Sequence, residues 1–128
     1  MSDASPRPVI RTADQVASHE VDRSRGASIQ ILIGPDDQAP HFFTRRFRLA
    51  PGGRIPRHRH ATIEHEQYVL AGEMVLSLDE VERTVRAGDA IYIPEKVAHW
   101  YENRGSEDCV FLCMVPRTTQ YETEWLEG

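Results

Sequence analysis

Apolar and polar residues alternate along this chain in short runs, and turn residues separate the runs at close intervals. The strand-like runs are residues 28–33, 42–49, 66–70, 73–78, 82–85, 90–93 and 109–115. Between them stand Gly34-Pro35, Pro51-Gly52-Gly53, Ala71-Gly72, Ala87-Gly88-Asp89 and Arg104-Gly105-Ser106. Many short alternating strands punctuated in this way predict an all-β antiparallel barrel or jelly roll. The one helical expectation is a short helix over residues 12–19.

Alternation also predicts which side chains face inward, because successive residues of a strand point to opposite faces. In residues 42–49, Phe43, Arg45, Phe47 and Leu49 share one face, while Phe42, Thr44, Arg46 and Arg48 share the other. The first face is the more apolar and is expected to point inward, which sets Arg45 among aromatic rings. A buried arginine needs a partner, either a protein carboxylate or an anionic ligand. On the last strand Cys109, Phe111, Cys113 and Val115 lie on one face.

At 128 residues the chain is expected to form one domain. No apolar run approaches the roughly 20 residues of a membrane span, and residues 1–8 lack the apolar core of a signal peptide. Cys109 and Cys113 lie four apart on one strand, about 13 Å between Cα atoms and too far for a disulfide. Reduced thiols fit a cytoplasmic location. The net charge of −5 argues against a general nucleic-acid binder. Residues 40–63 nevertheless contain no carboxylate, and they carry Arg45, Arg46, Arg48, Arg54, Arg57 and Arg59. A solvated edge of the barrel is favoured for them over a phosphate-binding strip.

Four of the six histidines carry the chemistry. His58 and His60 are two apart and share a strand face, which a helix would not allow. A turn after His60 can return His65 to the same interior, and His99 must arrive from a strand distant in sequence. Imidazole is the commonest metal ligand and suits several transition metals. Tyr101 shares the face of His99 if that strand continues, and Trp100 faces the other way.

Glycines frame these histidines at fixed intervals: Gly52, His58, His60, His65 and Gly72, then Gly88, Pro94, His99 and Asn103. The two sets resemble the paired motifs of the cupin superfamily at every spacing. There are two departures. His65 stands where the first motif has its metal-binding glutamate, and Lys96 stands where the second has a glycine. The turn Ala50-Pro51-Gly52-Gly53, the run Tyr68-Val69-Leu70-Ala71-Gly72-Glu73 and the strand from Phe111 to Pro116 are similar to those of small single-domain four-histidine cupins.

The resemblance implies a single cupin jelly-roll antiparallel β-barrel over residues 25–117. Residues 1–24 become an N-terminal segment, partly disordered or an exchanged strand, and residues 118–128 a tail. It implies a divalent transition metal held by His58, His60, His65 and His99, with manganese, iron or copper favoured and zinc or nickel as alternatives. It implies a cavity lined by the last strand, so that Phe43, Phe47 and Phe111 exclude water around a small-molecule substrate. Arg45, Tyr101 and Cys113 are the candidate catalytic groups, although Cys113 also reads as a small core residue. The expected activity is a metal-dependent oxidoreductase, a dioxygenase or an oxidative C–C or C=C cleaving enzyme. A non-redox isomerase or lyase and a non-enzymatic binding protein are the alternatives. A homodimer is the expected assembly, with residues 8–11 as a candidate for exchange between copies and no nucleic-acid or membrane partner.

Overall fold

The structure is a computed structural model that describes residues 5–118 and 122–127. Its strands are β1 (His19–Glu20), β2 (Arg25–Ile33), β3 (Phe42–Arg59), β4 (His65–Ala71) and β5 (Glu73–Leu78). They continue with β6 (Val81–Arg86), β7 (Ala90–Ile93), β8 (His99–Glu102), β9 (Cys109–Pro116) and β10 (Glu124–Trp125). All pair antiparallel, and the sheet runs β6-β5-β8-β3-β9-β4-β7, with β2 and β10 also on β3 and β1 on β2. The expected all-β cupin-type fold is what the chain adopts.

The helix expected over residues 12–19 is not formed. Only Ala13–Gln15 makes a single 3-10 turn, which Gln30 ties down by donating from Nε2 to the carbonyls of Ala13 and Val16 at 2.8 and 3.0 Å. His19 and Glu20 pair with β2 instead, because strand pairing satisfies backbone groups that an isolated short helix leaves open.

The long strand β3 organises the fold. Its first half, residues 42–49, pairs with β9, and its second half, residues 54–58, pairs with β8. The change of partner falls at Ala50-Pro51-Gly52-Gly53. Here Gly52 takes φ +78°, and its N–H donates to the carbonyl of Asn103 at 2.8 Å. A Cβ on Gly53 would meet the carbonyl oxygen of Ala50 at 2.7 Å, so the backbones come together only because that side chain is missing. A register shift follows between Ile55 and His58, where Pro56 cannot donate to the ladder.

The core lies inside the curl. Leu49, Val69, Leu76, Ile93 and Phe111 are fully buried there. Inward alternation on β3 extends from Arg45 and Phe47 to Leu49, as the sequence predicts. The arginine-rich stretch is not simply a solvated edge. Arg48 pairs with Asp108, Arg54 with Glu127, Arg57 with Glu80 and Arg59 with Glu124. Four of its six arginines thus meet carboxylates that other parts of the chain bring to them, while Arg46 donates to Gln30 at 2.8 Å. Among the described residues no helix is long and apolar enough to cross a membrane. Cys109 and Cys113 are both buried free thiols.

Candidate metal centre

His58 comes from the end of β3, His60 directly follows that strand, His65 opens β4 and His99 opens β8. All four are buried, between 2% and 7% exposed. Nitrogens of His58, His60 and His99 lie within 4.8 Å of one another. His65 stands beside them, outside that closest set. Its ring centroid is 5.0 Å from that of His60 and 5.5 Å from that of His99.

The local backbone fixes how three of these rings present themselves. His58 Nδ1 lies 2.7 Å from the carbonyl oxygen of Pro56, the residue at the β3 irregularity. His99 Nδ1 lies 3.0 Å from the carbonyl of Val97, and His60 Nδ1 lies 3.0 Å from that of Glu122. A carbonyl only accepts, so each Nδ1 carries the hydrogen and each Nε2 keeps its lone pair. Outer hydrogen bonds of this kind orient imidazole ligands in metal sites. For His65 the neighbour of Nδ1 is the Cys113 sulfur at 3.4 Å. Its Nε2 is buried with no hydrogen-bond partner.

The electrostatics agree. Burial holds all four imidazoles below their ordinary pKa: His58 to about 4 and His99 to about 3, His65 further still, and His60 in the same direction. Mutual repulsion within the cluster adds to the burial for His58, His65 and His99, and the Arg45 guanidinium adds to it for His58, His60 and His65. Four neutral imidazoles with lone pairs in one buried pocket are a donor set for a transition-metal ion. The unpartnered Nε2 of His65 is the kind of atom such an ion would satisfy. The residues fit a metal.

A cavity of about 230 Å³ adjoins the cluster. Arg45, Phe47, Tyr101, Phe111 and Cys113 line it, together with all four histidines. Phe43, expected in this wall, is not among its lining residues. Phe43 packs instead against Ile63, Cys113 and Val115 at the far end of β3. Arg45 donates to the Cys113 sulfur at 3.2 Å and lies over the Phe47 ring at 5.3 Å. Phe111 is stacked between Phe47 and Tyr101, with centroids 5.1 and 5.4 Å away. Tyr101 meets His99 edge-on at 5.6 Å.

Several lining residues were not anticipated. Gln67 follows His65 by two on β4 and faces the same interior, a position that alternation could have nominated. Its Nε2 donates to the Tyr101 hydroxyl at 2.8 Å and to the Cys113 sulfur at 3.3 Å. Trp125 and Thr123 come from the C-terminal segment, where β10 pairs beside His58 and Arg59. The Trp125 ring lies 5.0 Å from His58. Glu20 at the end of β1, with Val21 and Asp22 after it, adds to the wall. Nothing local in the sequence marks these two segments as neighbours of the histidines.

The family model for the cupin domain matches residues 45–115. This chain belongs to the cupin family. A curated relative, an uncharacterized protein of Methanocaldococcus jannaschii, is 38% identical over 77 residues, 59% of this chain and 62% of that protein. The protein SchB of Streptomyces halstedii is 34% identical over 65% of this chain and 61% of its own length. The chain thus spans under two thirds of the length of these two relatives. The solved structure of the polyketide cyclase RemF from Streptomyces resistomycificus superposes with a TM-score of 0.86 at 28% identity, over 95% of this chain and 87% of that one.

Proposed function

We propose that this cupin is a metal-dependent enzyme that acts on a small carbonyl-rich molecule of the polyketide type and closes or rearranges a ring without net oxidation. One observation carries the reading: a cluster of neutral imidazoles shares a single cavity with a wall of aromatic carbon. His58, His60, His65 and His99 are the proposed ligands. With no anionic ligand among them, a bound divalent ion keeps its full charge and polarises a carbonyl oxygen, so that the adjacent C–H loses its proton more readily.

The chain's own groups supply the rest. The Arg45 guanidinium sets a fixed positive charge at the wall, where an oxygen gaining negative charge is stabilised. The Tyr101 hydroxyl, held by Gln67 Nε2 at 2.8 Å and two residues along β8 from His99, is the candidate proton-carrying group. Phe47 and Phe111 keep water from the reacting carbon. At about 230 Å³ the cavity is smaller than the roughly 300–1,000 Å³ of drug-sized pockets, which suits a ligand of one or two rings. The likeness to RemF, along nearly the whole chain, supports a ketide substrate.

A second reading, oxidation of the same class of molecule with manganese, iron or copper, draws on the same donor set, which suits redox-active metals as well as zinc or nickel. One experiment separates the two. An aryl triketone is offered to protein loaded with zinc, manganese, iron or copper, with and without dioxygen. The non-redox reading expects ring closure with zinc and no dependence on oxygen. Turnover that requires both oxygen and a redox-active metal would replace it with the oxidative one. The homodimer belongs to the same proposal. Exposed Tyr68 and Leu70 on β4 and Tyr92 on β7 offer a face for it, and a sedimentation mass of one chain at micromolar concentration would refute it. Arg11, in the segment considered for exchange, is tied by two hydrogen bonds to Asp37 of its own chain at 2.6 and 2.9 Å.

A further inference from the structure

A metal accounts for the buried, unpartnered Nε2 of His65. It leaves a second such atom unexplained: Oε1 of Gln67 has no hydrogen-bond partner, although the residue is only 3% exposed. A buried amide oxygen left unsatisfied is destabilising, so it marks a place where a partner is missing. The carboxamide is not free to turn away from the strain. Its Nε2 is committed to the Tyr101 hydroxyl and the Cys113 sulfur at 2.8 and 3.3 Å. Cys113 in turn is engaged by the Arg45 guanidinium at 3.2 Å. The clamp therefore fixes a buried acceptor oxygen on a residue that lines the cavity. Gln67 follows His65 by two residues on the same face of β4, which separates the two by about 7 Å along the strand. That is close to the width of one substituted aromatic ring.

We infer that Gln67 is a specificity-determining residue whose Oε1 accepts a hydrogen bond from a hydroxyl on the ligand, one ring away from the oxygens that face the histidines. The ligand class is then a hydroxyaryl ketone, or an enolised ketide of the same shape, with a donor at the far end. This deepens the function proposed above and rests on it. The apolar side walls, Phe47 and Phe111, flank the ring between the two polar ends. A ligand without the distal donor would leave Oε1 unsatisfied in the complex, and sites of this construction reject such analogues.

The test uses two probes with zinc-loaded protein and reads binding by calorimetry. Resacetophenone carries an ortho-hydroxy ketone and a second phenol para to the ketone. Paeonol is the same molecule with that second phenol O-methylated. The wild type is expected to bind resacetophenone about tenfold more tightly than paeonol. Gln67→Leu should lose that preference through weaker resacetophenone binding, while paeonol binding and zinc content stay unchanged. Gln67→Met, with an unbranched side chain of similar length, repeats the measurement if the leucine variant does not fold. A preference that persists in both variants is steric and overturns the inference. A wild type with no preference, or a preference for paeonol, overturns it too and leaves the ketone-binding reading standing. If neither probe binds the zinc-loaded protein, the ketone-binding reading falls and this inference falls with it.

Discussion

Mild acid should destabilise the metal-free protein steeply, and the size of the effect follows from the buried imidazoles. In the unfolded chain a histidine titrates near 6.5. In the folded protein burial holds His58 at about 4 and His99 at about 3, and pushes His65 lower still. These are depressed values on a basic group, so between the folded and unfolded pKa the unfolded state binds more protons. Stability is therefore complete above about pH 6.5 and is lost as pH falls below it. One pH unit below the unfolded value, each such histidine costs about 1.4 kcal/mol, because it stays neutral in the folded state while its unfolded counterpart is protonated. Three of them cost about 4 kcal/mol at pH 5.5 relative to pH 7.5, and His60 shifts in the same direction. That is a fall in melting temperature on the order of 10–20 °C for a domain of this size. The arginine-paired carboxylates Asp37, Glu124 and Glu127 are held below their ordinary range, so their own losses come at lower pH and do not blur the window. The assay is urea unfolding of chelator-treated protein at pH 7.5, 6.5 and 5.5, repeated with metal. Bound metal should raise stability at every pH and leave the fall between pH 7.5 and 5.5 in place, because the folded imidazoles are already neutral without it and the unfolded ones still take up protons. A metal-free protein equally stable at pH 7.5 and 5.5 would refute the picture of buried neutral histidines.

Other outcomes follow from single contacts. His65→Ala should lower metal affinity at least tenfold, whereas Glu64→Ala should leave metal content unchanged. Glu64 sits on the outer face, where its carboxylate accepts from the Tyr92 hydroxyl at 2.7 Å; elemental analysis of the two variants decides. Deleting residues 118–128 removes the Glu122 carbonyl from His60 and the Trp125 ring from His58. Metal affinity should fall about 10–100-fold while the chain stays folded, read by chelator competition and circular dichroism; an unchanged affinity would show that the segment does not support the site. Gly72→Ala should destabilise by about 3 kcal/mol or more, because Gly72 takes φ +74° and a Cβ there would lie 2.2 Å from the Asp108 carbonyl oxygen. Urea unfolding measures it, and a loss under about 1 kcal/mol would contradict that close approach.

The parts of this molecule written in short-range pattern were legible in the sequence. Residues 73–78 and 90–93 form the strands their alternation predicts. The spacing of His58 and His60 put those two rings on one face, because a strand places residues i and i+2 together, and the motif resemblance drew His65 and His99 into the group. What depends on contacts far apart in sequence was not legible. Pro51, Gly52 and Gly53 read as a break, yet β3 runs through all three, since its partner changes from β9 to β8 there. The expected helix over residues 12–19 lost to pairing on β2. Phe43 has the right parity for the cavity but lies too far along β3 to reach it. Trp125 and Glu122 meet the histidines only because the C-terminal segment folds back along β3, an event with no local signature. Gln67 lay within reach of the alternation argument, and its importance shows only in the unpartnered oxygen that the fold leaves behind.

The proposed metal centre has four imidazoles, His65 included, holding one metal ion beside an aromatic cavity. X-ray absorption on the metal-loaded protein tests it most directly, combined with elemental analysis of the same sample. One metal per chain is expected, with four imidazole nitrogens bound to it, falling to three in His65→Ala. A metal held by three imidazoles and a carboxylate in the wild type would contradict it, as would a wild type and a His65→Ala variant with the same spectrum.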